Sequence, residues 1–187
     1  MAIPFYAKST GNEGYIKNME VVGFSDLNGV NAFQMALNKT ADGKYYMYCG
    51  SFRGPGWNIV DVTDPTHPTV VNWLEACDPK EFPATNTPKI QVADGLMIGA
   101  LGGGVPFLHG NKPGDKNKSG LMIFDIQQDP VHPKHLSFWD TGVKDGMGFT
   151  GLCITVDAMF IYQRIARVSP GISIEFLISS TPLIQWK

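Results

Sequence analysis

The chain is expected to be an all-β protein built from repeated four-stranded antiparallel units. Three observations carry this. Turn-forming residues are abundant, short β-branched and aromatic runs alternate with them, and one block of sequence occurs twice. Glycine contributes 21 and proline 13 of the 187 residues, a level that calls for many tight turns. Hydrophobic residues make up 43% and charged residues 17%, enough apolar material for a packed core and too much for a disordered chain. The net charge of −2, from 15 basic and 17 acidic side chains, offers no basic footprint, so nucleic acid is not an expected partner.

The repeat orders the elements. Gly56-Trp57-Asn58-Ile59-Val60-Asp61-Val62-Thr63-Asp64-Pro65-Thr66-His67-Pro68 recurs, with one inserted residue, as Gly120 to Pro133. Upstream, Ala41-Asp42-Gly43 before an apolar run matches Ala93-Asp94-Gly95 before another. Lys44 to Cys49 and Asn58 to Val62 are short aromatic and β-branched runs bounded by Gly, Pro and Asp, which is a strand signature. Each Asp-Gly pair sits between two such runs, where a tight hairpin needs a positive φ. Asp64-Pro65 and Asp129-Pro130 suit turn initiation, because proline presets φ and aspartate bonds the local backbone. Strands then follow at Thr69 to Trp73 and Lys134 to Trp139. A four-stranded unit that recurs is the pattern of a propeller blade.

Trp57 to Pro68 resembles the LVIVD repeat, whose core reads like leucine-x-isoleucine-valine-aspartate followed by a serine or threonine, Asp-Pro and a second proline. Leu121 to Pro133 resembles it less closely, and with flanking strands the likeness spans about residues 15 to 150. The resemblance implies a β-propeller, often bacterial or archaeal and mostly without an assigned activity, and it supplies no catalytic residue. Such chains often carry histidine where a blade opens. The corresponding Phe33-Gln34-Met35, Pro88-Lys89-Ile90 and Met147-Gly148-Phe149 have none, which weakens any catalytic or metal role carried over from the family.

The expected architecture is therefore a partial β-propeller over residues 1–151, an incomplete ring, followed by an atypical tail at 152–187. Propellers close with four to eight blades, and two are recognisable here, with Glu20 to Phe24 as the outer strand of an earlier one. The tail carries seven of the 14 isoleucines and one of the 21 glycines. Asp157 is expected to cap a short helix through Arg167 with Phe160, Ile161 and Ile165 on one face, before Ser169-Pro170-Gly171 stops it and Ile172 to Ile178 forms a strand. Two accounts of the length compete. The chain is a fragment of a longer propeller with an aberrant C-terminus, or the tail caps it and two copies self-associate to complete the ring. No signal peptide or membrane-spanning run is visible, so the chain as written reads as cytoplasmic, and as extracytoplasmic if an upstream segment is missing. Cys49, Cys77 and Cys153 lack CxxC or CxxH spacing and read as buried reduced thiols.

Candidate site residues fall on two loops expected to share one mouth. The insertion Gly102 to Ser119 carries Phe107, His109 and Lys112, an apolar contact, a titratable base and a cation. The plainer alternative is a surface excursion without a ligand. Arg53-Gly54-Pro55-Gly56-Trp57 places an arginine beside a tryptophan, able to hold a carboxylate or an aromatic ligand or to pack between blades. His67 and His132 recur inside Asp-Pro-x-His-Pro turns, which geometry explains better than metal binding, and Asp61 and Asp125 recur at strand ends, either lining a central channel or, the favoured reading, accepting backbone N–H bonds. No metal and no cofactor is expected. The functional expectation is a binding or interaction module for an unknown protein or small molecule. The alternative is a hydrolase or lyase working at the propeller mouth, with His109 as its base.

Overall fold

A computed structural model describes residues 21–52, 54–103, 112, 114–140, 150–154, 160–168 and 171–179, the last three stretches as backbone alone. Among the described residues nine antiparallel pairings join eleven strands, but the plan is simple. β1 (Ala32–Lys39), β2 (Tyr45–Ser51), β3 (Gly56–Asp61) and β4 (Thr69–Glu75) form one four-stranded meander. β5 (Thr85–Ala93), β6 (Leu96–Gly103), β7 (Gly120–Asp125) and β8 (Lys134–Asp140) form a second. A bridge between Ser51 and Thr87 joins them into one eight-stranded sheet. β9 (Thr150–Ile154), β10 (Phe160–Val168) and β11 (Gly171–Ser179) make a three-stranded antiparallel sheet in the order β11-β10-β9. The all-β expectation holds, and among the described residues no helix is long and apolar enough to cross a membrane.

Two expectations are corrected. The outer strand expected at Glu20 to Phe24 is not a strand over its described part, residues 21–24, which join no strand ladder. The helix read from Asp157 to Arg167 is a strand over its described part, β10, paired in register with β11 from Phe160↔Ser179 to Val168↔Gly171. Phe160, Ile161, Tyr162, Ile165 and Val168 are good strand formers. Their apolar spacing suits either period, and the adjacent partner strand decides between them. Asp157 lies outside the described residues. The strand expected at Ile172 to Ile178 lies within β11.

The turns follow from residue chemistry. Asp94 and Gly95 both take positive φ, 50° and 74°, between the paired Ala93 and Leu96. That is the two-residue hairpin whose twist matches its strands, and Asp-Gly favours it. The first hairpin differs. Gly43 alone has positive φ (87°), its N–H donates to the Thr40 carbonyl at 3.0 Å, and the Thr40 N–H donates to Lys44 at 2.9 Å. This longer loop ends in a left-handed glycine, so the two Ala-Asp-Gly triplets are not equivalent in the sheet. Tyr46 opposes Asp61 as Leu96 opposes Asp125; Gly43 precedes Tyr46 by three residues and Gly95 precedes Leu96 by one. Gly95→Ala should cost about 1–2 kcal/mol through its left-handed backbone, read as a lower urea midpoint with an unchanged slope.

The repeat extends to an irregularity. β3 and β4 slip register between Ile59 and Val60, and β7 and β8 slip at the equivalent Ile123 and Phe124. The extra residues are Val71 and Leu136, 38% and 49% exposed, since a bulge leaves one residue outside the ladder.

The main core lies between the two meanders. Alternation along β2 and β3 puts Tyr46, Tyr48, Trp57 and Ile59 on one face. They pack in a single buried cluster with Ile90, Met97, Leu101, Met122 and Phe124 of the second meander. The Trp57 indole lies on Gly99, where a Cβ would stand 2.0 Å from it, and meets the Phe124 ring edge-on at 5.8 Å. The Tyr48 hydroxyl donates to the Pro130 carbonyl at 2.8 Å, and the Asn72 amide donates to the Val131 carbonyl at 2.7 Å. Buried Thr87 accepts from the Gly56 N–H at 3.0 Å and donates to the Gly56 carbonyl. Ile98, Ala100, Leu121 and Ile123 form a smaller core on the other face of the second meander.

Candidate functional site

Strand direction places the two candidate loops at one end of the sheet. β2 ends where β5 begins, through Ser51↔Thr87, and β6 ends there too, through Thr85↔Gly103. The β2–β3 and β6–β7 connections therefore leave from the same end of the sheet. Arg53, Phe107 and His109 lie outside the described residues. Lys112 is exposed, and its backbone closes a turn: its N–H donates to Asp115 Oδ2 at 2.7 Å while its carbonyl accepts from the Asp115 N–H at 3.1 Å.

Trp57 is a correction. It was read as a ligand contact at the mouth, but it is fully buried, at 0% exposure, between the meanders. Glycine at position 99 makes room for the ring, and burying it there removes a large apolar surface from water. It packs between the two meanders instead.

The stem of the insertion is anchored. The Lys118 N–H donates to Thr85 Oγ1 at 2.8 Å and the Ala84 N–H to the Lys116 carbonyl at 3.1 Å. The Lys118 ammonium sits 4.6 Å from the Phe138 ring centroid and 5.9 Å from that of Phe82. The loop therefore rises from a fixed base.

Around Phe52 the structure assembles a group that the sequence alone does not reveal. Phe33 and Phe52 meet as tilted rings, with centroids 4.4 Å apart and planes at 60°, and the Lys89 ammonium lies 4.8 Å from the Phe33 ring centroid. Phe33 remains 50% exposed. A cation beside an open aromatic face can receive an anionic or aromatic group. Phe33 and Lys89 sit on β1 and β5, and no local sequence signal links them.

The recurrent Asp-Pro turns are a second set of polar geometry. Asp64 Oδ1 accepts the Thr66 N–H at 2.9 Å and its Oδ2 lies 3.0 Å from His67 Nδ1. Asp129 repeats this, with Oδ1 accepting from the Val131 and His132 N–H groups at 2.9 Å and Oδ2 3.0 Å from His132 Nδ1. Asp61 and Asp125 accept from the Thr63 and Gln127 N–H groups at 2.9 and 2.8 Å. The Thr66 hydroxyl, then the Thr66 N–H and His67, lower the Asp64 carboxyl from its ordinary 3.8 to about 2. Bonds from the His132 backbone and ring lower Asp129. A depressed folded pKa means that the charged carboxylate favours the native state. That contribution is complete above about pH 4 and disappears as pH falls through about 2. Asp64→Asn should therefore flatten the fall of melting temperature across that window, and a profile parallel to wild type would refute the assignment. Among the described residues no three His, Cys, Asp or Glu side chains converge as a metal site. Burial pushes the Cys49 thiol up to about 11, which makes it a poor nucleophile.

The fold and these sites define an all-β protein of stacked antiparallel meanders with loops gathered at one sheet edge. No protein-family model matches the chain, and no curated protein matches it. A solved structure of a mannose phosphorylase from Leishmania mexicana, in complex with phosphate ion, aligns with 94% of this chain at 16% identity and a TM-score of 0.49. The chain spans about half of that structure's length, 52%.

Proposed function

We propose that the chain is a segment of an LVIVD-like β-propeller and serves as a binding or interaction module. The observation that supports this best is the stacking of two four-stranded meanders that repeat each other in strand order, Asp-Pro turns and bulge position. Contact with a ligand is assigned to the loop-bearing edge, with Arg53, Lys112 and the Phe33–Phe52–Lys89 group as its cationic and aromatic elements and Phe107 and His109 on the insertion. Loops on a rigid scaffold are where binding residues concentrate.

A thermal-shift panel of small carboxylates, phosphates and aromatic acids tests the reading. A compound that raises the melting temperature of wild type should lose that effect in Lys89→Ala and Arg53→Ala, both with wild-type melting in its absence. A panel without any stabiliser, or stabilisation untouched by both substitutions, would remove the site. Chemical turnover of a bound compound that falls at least about tenfold in His109→Ala would instead favour the hydrolase or lyase alternative.

A further inference from the structure

Residues 21–26 read Val-Val-Gly-Phe-Ser-Asp. The end of β4, residues 70–75, reads Val-Val-Asn-Trp-Leu-Glu, and the end of β8, residues 135–140, reads His-Leu-Ser-Phe-Trp-Asp. All three have an apolar residue second, a small or amide residue third, an aromatic fourth and an acid last. Residues 21–26 are thus a third copy of the outer strand, yet they lie outside every strand, with Val21 and Val22 52% and 51% exposed. Gly23 seats the segment beside the Asp-Pro turn, where a Cβ would fall 1.9 Å from the Pro65 carbonyl oxygen.

The other end of the chain has the converse. Among the described residues β9, β10 and β11 form a sheet of three strands with β11 at its edge, where the two preceding units have four. An unpaired edge is a template for another strand.

The face between these features is also open. Met35, Leu37 and Met47 line a groove of about 610 Å³ on the first meander, with buried Val60 at its floor and Val22 and Phe24 along its side, and Met35 and Leu37 are each 57% exposed. Sheet register makes Ile90, Met97 and Phe124 the counterparts of Met35, Met47 and Val60. Those counterparts are 0%, 0% and 2% exposed because the first meander covers them. The molecule itself therefore shows what this face packs against: another antiparallel unit of the same kind. The units follow one another in space, the first against the second and β9 against β5 and β6. The open face and the three-stranded sheet belong to opposite ends of that series.

We propose that two copies of this chain dock head to tail. The β9–β11 sheet of one copy covers the Met35–Leu37–Met47 face of the other, and residues 21–26 of the covered copy add alongside β11 as its fourth strand. Two such contacts close a ring of about six units, inside the four-to-eight range of propellers. The inference rests on the blade reading.

Light scattering on the full chain, with hydrogen exchange on the same sample, tests it. Wild type should run at twice the chain mass with slow exchange over residues 21–26. Leu37→Glu, at a position already exposed, and Val22→Pro, outside any strand, should each restore the single-chain mass and make that exchange fast. Val71→Glu, on the outward bulge, should leave the dimer intact. A wild-type chain of single mass at every concentration overturns the docking, as does a dimer that survives both substitutions. Either failure leaves the blade reading to be judged by the Trp57–Gly99 coupling, which is measured within one chain.

Discussion

Trp57→Ala is expected to lower the unfolding free energy by about 3–5 kcal/mol. The side chain is 0% exposed and fills the space between the meanders, over Gly99 and edge-on to Phe124. Its surroundings are two meanders held by their own ladders, so they cannot collapse into the space left behind. The indole N–H has no hydrogen-bond partner, so apolar packing rather than a polar bond holds the ring. Guanidinium unfolding followed by fluorescence and circular dichroism measures the loss. A change under about 1 kcal/mol would mean that the meanders do not stack through this ring.

Gly99→Ala is the reciprocal change and should cost about 1–3 kcal/mol by overpacking. The added Cβ would lie 2.0 Å from one indole carbon and 2.5 Å from another, distances that force the ring or the strand to move. Gly99 is central in β6, paired with Ile90 on one side and Met122 on the other, so the strand has little freedom to yield. Trp57→Phe vacates the contested space. The double variant Trp57→Phe/Gly99→Ala should then recover stability relative to the sum of the single changes, by a coupling of about 0.5–3 kcal/mol. Additive losses would show that the two residues do not touch.

Local chemistry was the legible part of the sequence. Asp94-Gly95 announces its turn because few pairs accept two positive φ values in succession. The recurrence of Asp-Pro and the strands on either side of it was also readable, because these depend on neighbours along the chain. Long-range choices were not. Trp57 reads as a surface aromatic from its Gly-Pro-Gly flank, and only the facing glycine on β6 shows that it is an inter-sheet wedge. Phe33 and Lys89 meet because β1 and β5 run side by side, a fact without a local signature. Residues 160–168 fit a helix or a strand equally by apolar spacing, and hairpin pairing with β11 settles the choice. The outer strand expected at Glu20 to Phe24 is not a strand over residues 21–24, because strand formation needs a hydrogen-bonding neighbour that apolar composition alone does not supply.

The order of the strands has a consequence for the birth of the molecule. Among the described residues every strand pairing but Ser51↔Thr87 joins neighbours in sequence. The first meander can therefore form as soon as Glu75 has left the ribosome, before the second exists. Its aromatic face, with Tyr46, Tyr48, Trp57 and Ile59, then waits uncovered until synthesis reaches Ile126, the last residue of the shared core. At ordinary elongation rates that interval is about 3–10 s. During it the nascent chain carries a sticky aromatic surface beside an unpaired strand edge, so holding chaperones and slow codons would act most strongly between Ala76 and Ile126.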